Sequence, residues 1–293
     1  MKAGVYDIAS AVYYADGLTE EPSLNATVLK ALINDSARHA FAAHPKLNPD
    51  YAEKTDRKFD LGTVAHEVYL LGNDKRVHVV DAADWRTKAA QEVRDRAREE
   101  GLVPLLAHEW QRVSAMLTAL RAQLPKIDAE PPLFTAGKAE RTLVWRDRDV
   151  LCRARMDWLH DSHECADDLK TAGRTANPHV WTRTTMFSIG ADLQAAFTLR
   201  GLRAALGVES TFRFVICEVH EPYAISAVTP SAQTLALANQ KIDVALEKWK
   251  RCLESDEWPA FPRHVLTVDP PPWLETQWWE AQQVDEAIEA AAA

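Results

Sequence analysis

Residues 141–171, RTLVWRDRDVLCRARMDWLHDSHECADDLKT, constrain this chain more than any other stretch, because apolar and polar residues alternate along them. A period of two commits a segment to half-buried strands. Three strands are expected, over 141–145, 150–159 and about 164–171, joined by polar turns. In CRARMDW, Cys152, Ala154 and Met156 face one way and Arg153, Arg155 and Asp157 the other. Asp168 and Lys170 are two apart and share a face of the next strand. If the two strands are neighbours, two carboxylates and an ammonium converge on one spot.

Those residue types describe a hard-metal site with a lysine beside it. Magnesium takes carboxylate and carbonyl oxygens and keeps several waters. A divalent ion acidifies water, and a second can steady the leaving oxygen of a phosphodiester. A lysine there orients the water or neutralises charge on phosphorus. By spacing alone, D-x-K also describes a solvated strand edge, so the site needs support from elsewhere in the chain.

The 293 residues hold enough apolar material for one large domain or two small ones, with 47% hydrophobic and 26% charged residues. The opening MKAGVYDIASAVYYADG lacks a basic region followed by an apolar block, so no signal peptide is expected. No run approaches the length of a membrane span. Cys152, Cys165, Cys217 and Cys252 are scattered without a C-x-x-C pair, which fits buried thiols in a reduced compartment and no zinc or iron–sulfur motif. A net charge of −9 argues against a surface that coats nucleic acid indiscriminately. Locally, Arg141, Arg146, Arg148, Arg153 and Arg155 outnumber Asp147 and Asp149, so the strand region reads as positive.

Elsewhere, Ser23-Leu24-Asn25-Ala26-Thr27 stands ahead of VLKALINDSARHAFAA, a capped helix of about four turns, followed by a polar loop over 46–58. FDLGTVAHEVYLLG fits a helix through Leu61, Val64, Ala65, Val68 and Leu71, with His66 among them. A brief strand over 77–85, helices over 88–100 and 106–124, and a connector at Pro131-Pro132 lead to the strand cluster. After it come a short helix over 179–186 and another over 189–206 containing Gln194, an amide that needs partners if buried. A hairpin over 211–219 and 223–230 precedes a long helix over 232–253. Trp258, Trp273, Trp278 and Trp279 load the end with aromatic surface, suited to packing a returning terminus or a neighbouring subunit and, less directly, to stacking on bases.

The ordered series FDLGTVAHEVYL, VLCRARMDWL with CADDLKT, IGADLQAAF, ALGVESTFRFVICEV and DEWPAF resembles the RecE-type (exonuclease VIII-like) phage recombination exonucleases of the PD-(D/E)xK nuclease superfamily. It covers about residues 23–262. The resemblance implies an α/β fold with a restriction-endonuclease-like core: a central mixed sheet flanked by helices. A single exonuclease domain is expected over 1–265, its part to about residue 130 helical, with a Trp/Ala-rich tail over 266–293.

By the same resemblance, Asp157 and Asp168 are metal carboxylates, the Leu169 carbonyl and His66 are further ligands, and Lys170 is the motif lysine. Gln194 matches the glutamine of a Q-x-x-x-Y helix motif that supports the site. The tyrosine of that motif is replaced by Thr198, with Phe197 supplying only an apolar ring. Glu140 lines up with an acidic position that assists. The implied activity is magnesium-dependent (or manganese-dependent) degradation of double-stranded DNA from its 5′ end, leaving 3′ overhangs for a RecT-like single-strand annealing partner. A homo-oligomeric ring in the cytoplasm of a bacterial host, with no membrane association, completes the expectation. Alternatives are another PD-(D/E)xK nuclease (Cas4-like or an endonuclease), a non-catalytic DNA-binding scaffold, and a small-phosphoester metalloenzyme.

Overall fold

The computed structural model describes residues 1–51 and 57–292, with side chains omitted at 57–61, 63, 285–287, 289, 290 and 292. Along the chain the elements are β1 (Gly4–Tyr6), α1 (Ser10–Tyr14), α2 (Ala26–Asn34), α3 (Ala37–Ala42) and α4 (Arg57–Tyr69). Then come β2 (Val77–Val80), α5 (Lys88–Glu99), β3 (Val103–Leu106) and α6 (Ala107–Gln123). The centre holds β4 (Gly137–Asp147), β5 (Val150–His160), β6 (Cys165–Ala172), α7 (Pro178–Trp181) and α8 (Ala191–Leu206). β7 (Thr211–Glu218), β8 (Ile225–Val228), α9 (Ala232–Ser255) and α10 (Pro272–Ala292) finish it. Of the polar loop expected over 46–58, residues 52–56 lie outside the described residues, as does the side chain of Leu61.

Six strands form one sheet in the order β1-β4-β5-β6-β7-β8, antiparallel except for the parallel β6–β7 pair. The three expected strands are all present and adjacent, and the first is longer than its apolar core suggested. β4 carries its ladder with β5 out to Gly137 and Asp147. Cross-strand pairing satisfies backbone groups even where the side chains are polar.

Each face of the sheet is covered. On one, Cys152, Ala154, Met156, Phe212, Phe214 and Ile216 pack with residues of α2, α8 and α9, including Leu29, Phe197 and Trp249. On the other, Leu169, Val215 and Cys217 pack with Val64 and Val68 of α4 and Met116 and Leu120 of α6. The period-two alternation of β7 sends consecutive residues to the two cores. Gly201 lets α8 press onto β4: a Cβ there would stand 2.7 Å from the Leu143 and Trp145 side chains.

The segment before the sheet departs from expectation in two ways. The helix expected over 28–43 is two helices, because Ser36 caps a second one and breaks the run at Asp35-Ser36. The part up to residue 130 is not purely helical. It contains β1, which pairs with β4, and a parallel two-stranded sheet of β2 and β3. β2 is the brief strand expected within 77–85, whereas β1 and β3, of three and four residues, are too short for alternation to register. A buried ion pair, Arg153 Nη1 to Asp16 Oδ1 at 2.7 Å, ties the N-terminal segment to β5. His44 joins the same cluster.

The chain divides into two units, Met1–Pro259 and Ala260–Ala293. In the first, Trp258 packs on Trp249 and Phe41. The second contains α10, on which Trp273, Trp278 and Trp279 are exposed. Among the described residues, no helix is long and apolar enough to cross a membrane.

Candidate metal centre at a dislocation in the sheet

The candidate residues meet where the central sheet loses its regularity. β5 and β6 pair at Trp158–Asp167 and Leu159–Ala166, and the ladder stops there. The next pair in that register would be Asp157 and Asp168. On the other side of β5, the β4 ladder runs through Ala139–Trp158 and Arg141–Met156 and skips Glu140, the residue in register with Asp157. Glu140 has a left-handed backbone, φ 55°. Three carboxylates therefore lie in one line across three strands. Like charges placed directly opposite destabilise a pair, and the ladders are interrupted along this line. Met156 and Leu159 both enter the same apolar core although three residues apart, so β5 changes phase across Asp157.

Side chains take over the hydrogen bonding that the ladder gives up. The Leu169 amide donates to Asp157 Oδ2 at 2.8 Å. The Leu169 carbonyl faces His66 Nε2 at 3.0 Å, which brings α4 into the site. From the opposite face of the sheet, Gln194 of α8 donates to Asp168 Oδ2 at 2.6 Å and accepts from Lys170 Nζ at 3.1 Å. The Lys170 ammonium is ion-paired with Asp168. His66 Nε2 is 3.5 Å from Asp157 Oδ2, His66 Nδ1 is 3.9 Å from Glu140 Oε1, and Glu140 pairs with Arg155.

A cavity of about 270 Å³ opens onto this cluster, lined by His66, Glu140, Asp157, Asp168, Lys170 and Gln194 together with Lys30 and Tyr13. Thr198 also lines it, at the position where a tyrosine was expected, and is itself buried.

Electrostatics follow from crowding. Burial, and then the neighbouring Asp168, push the Asp157 carboxyl up to about 7. Burial works against a charged His66, but Asp157, Glu140 and Asp168 outweigh it and lift the imidazole to about 9. Burial likewise opposes the Lys170 charge, and Asp168 with Asp157 holds it above the ordinary lysine value. Glu140 is stabilised as a carboxylate against its burial by His66 and Arg155. Three carboxylates (Glu140, Asp157 and Asp168) are thus crowded together against three cations (Arg155, His66 and Lys170).

The crowded carboxylates and the donor set fit a divalent ion. His66, Glu140 and Asp157 each bring one ligand atom within 4.8 Å of the others. Ligands about 2.1 Å from an octahedral ion and at right angles stand about 3 Å apart. His66 Nε2 stands at 3.0 Å from the Leu169 carbonyl and at 3.5 Å from Asp157 Oδ2. The proton on His66 thus occupies ground suited to a cation. Carboxylates with a carbonyl suit magnesium or manganese, and the imidazole leans towards the softer manganese.

All six residues singled out in the sequence (His66, Asp157, Asp168, Leu169, Lys170 and Gln194) are brought together. Glu140 belongs with them through register, which no local pattern announces. Lys30 was missed altogether. The basic strand needs correction: Arg141 pairs with Asp7, Arg146 with Glu21, Arg148 with Asp243 and Glu247, Arg153 with Asp16, and Arg155 with Glu140. The counter-charges come from segments distant in sequence, and the apparent surplus of positive charge is spent on joining them.

The PDDEXK-like domain of unknown function (DUF3799) matches residues 26–264. No curated protein matches the sequence. Among solved structures, a protein of Eubacterium rectale assigned as an exonuclease aligns with TM-score 0.62 at 10% identity, covering 92% of this chain and 98% of that one. An alkaline exonuclease from Laribacter hongkongensis aligns with TM-score 0.27 at 14% identity, over 58% of this chain and 84% of that one. The Eubacterium rectale likeness is one of fold.

Proposed function

This chain belongs to the PDDEXK-like family, and from that premise we propose that it is a metal-dependent exonuclease of double-stranded DNA, of the RecE type. It degrades from the 5′ end and leaves a 3′ strand for a single-strand annealing partner. One observation carries the proposal: Asp157, Asp168, the Leu169 carbonyl and Lys170 meet at a break in the sheet, with His66 closing the far side.

Asp157, Asp168, His66 and the Leu169 carbonyl would hold the ion, which supplies an acidified water and a counter-charge for the leaving oxygen. Lys170 is fixed by Asp168 and Gln194 with its charge secured, so it can hold the attacking water in line or stabilise charge on phosphorus. Gln194 is a positioning residue. Its amide oxygen accepts from the lysine while its nitrogen donates to the aspartate, which orients the ion pair those two form with each other. Glu140 steadies His66 and Arg155.

The test is digestion of a linear duplex labelled separately at its 5′ and 3′ ends, with magnesium, manganese or EDTA. A closed circle and Asp168→Asn serve as controls. Metal-dependent early release of 5′ label, with circle and variant inert, is expected. Early release of 3′ label would reverse the polarity, and cutting of the circle would make the protein an endonuclease on the same core. Binding without cleavage under any metal would favour a scaffold.

A further inference from the structure

We propose that Lys30 forms a second phosphate-holding point in the cleft, gripping a substrate phosphate between α2 and the Asp168–Lys170 pair. The proposal rests on the reading that DNA is the substrate.

Lys30 sits in the second turn of α2, and its side chain lines the same cavity as Asp168, Lys170 and Gln194. Thr27, three residues earlier and so on the same side of the helix, lines it too. The other cations around the site have carboxylate partners: Lys170 has Asp168, Arg155 has Glu140, and Lys241 has Asp192. Lys30 has no carboxylate within 4 Å among the described residues. Its ammonium donates to one neutral acceptor, the Ile189 carbonyl, at 3.2 Å. Burial and the nearby Lys170 charge both disfavour its protonated form, which Asp168 and Asp192 only partly offset. A half-buried cation facing another cation is a position that an anion improves. A phosphate oxygen supplies that charge, and a lysine binds it as a point charge.

The chain also makes room for this side chain. Gly190 has φ +65°, and a Cβ on it would stand 2.4 Å from Lys30 Cδ. The lysine stem therefore lies over a glycine at the entrance of α8, the helix that carries Gln194. The slot aims one ammonium from α2 and one from β6 into a single cavity. Lys30 is not placed to ligate the metal, since it is a cation and has no lone pair while protonated.

The bound phosphate is either the monoester at a strand end or a diester within the strand. Equilibrium binding of a short fluorescent duplex in EDTA, with a 5′-phosphate or a 5′-hydroxyl, separates the two. Lys30→Met keeps the stem over Gly190 and removes the charge, and Lys30→Arg restores it. Lys30→Met is expected to weaken binding about tenfold and to lower the slope of log affinity against log salt by about one phosphate contact. KM should rise with kcat little changed, and Lys30→Arg should recover most of the loss. A loss confined to the phosphorylated duplex identifies the terminal monoester; equal loss on both identifies an internal diester. If Lys30→Met unfolds, Lys30→Gln takes its place and the salt slope decides. Unchanged affinity and salt slope in the variant, with wild-type protein still cleaving DNA, would overturn the proposal and leave the nuclease reading intact. A wild type that neither binds nor cuts DNA would overturn the nuclease reading and, with it, this one.

Discussion

Asp167 and Asp168 are neighbours in sequence and each is 1% exposed, yet they sit on opposite faces of β6 in opposite circumstances. Asp167 is saturated. Arg213 Nε donates to its Oδ1 at 2.6 Å and Nη2 to its Oδ2 at 3.0 Å, while the Phe134 amide and His160 Nε2 reach Oδ2 at 2.8 Å. Asp168 has Lys170 and Gln194, a second carboxylate in register across the gap, and a cavity in front of it. A buried charge with every lone pair filled serves as a joint between elements. One left beside like charge at the wall of a cavity is held ready for something else. His160, Cys165 and Asp167 also have metal-ligand spacing, but Arg213 already supplies the cation there.

Exchanging each carboxylate for its amide should separate the two roles, and the largest effect is expected on the open face. Asp168→Asn or Lys170→Ala should lower the cleavage rate by about 10³-fold, with thermal midpoint and DNA binding close to wild type. A Lys170→Ala protein that turned over normally would remove the lysine from the chemistry. On the closed face, Asp167→Asn should leave Arg213 buried without its counter-charge and cost about 3–5 kcal/mol of stability. Its rate per folded molecule should be nearly unchanged. Urea unfolding and a rate normalised to folded protein measure both quantities, and a stable Asp167→Asn would dissolve the contrast.

A smaller effect tests whether the open face is held against its own repulsion. Asp157 binds its proton more tightly folded, at about 7, than in the unfolded chain, at 3.8. Between those values the native state carries the extra proton, so its contribution to stability falls as pH rises through that window and stays lost above it. Metal-free Asp157→Asn should therefore be more stable than wild type by about 1–2 kcal/mol at pH 8, and the gain should vanish near pH 4. Equal melting temperatures at pH 8 would count against the crowding.

The smallest expected effect concerns His66. Its imidazole is protonated up to about 9, and a metal needs the lone pair that the proton occupies. Apparent metal affinity should keep climbing up to that pH, with proton release on binding. In His66→Gln the climb should end near the Asp157 value and affinity should fall about tenfold. Calorimetry in two buffers of different ionisation enthalpy reads the released protons, and identical proton counts in the two proteins would exclude His66 as a ligand.

The local part of this site was legible in the sequence. Period two alone assigns Asp168 rather than Asp167 to the face of Lys170, because side chains on a strand alternate whatever the strand packs against. Alternation likewise marked β5 and β7, and apolar spacing marked α8 with Gln194 on it. The strand at β2 was legible in VHVV, but β1 and β3 left no such trace: they are defined by their partners, and three or four residues are too few to display a period.

What only the tertiary structure decided concerns pairs distant in the chain. Register across β4, β5 and β6 put Glu140 level with Asp157 and Asp168, at the line where the ladders are interrupted. Folding also brought Asp7, Asp16, Glu21 and Asp243 to the arginines of the strand cluster, cancelling a charge that composition had reported as free. It set Lys30 over Gly190, 160 positions later in sequence, and left that one ammonium facing the cleft. Sequence fixes which way a side chain leaves its own backbone, since that depends on local dihedral geometry. Which charges meet depends on long-range packing, and there a residue's role is set by a neighbour that its own stretch of chain does not contain.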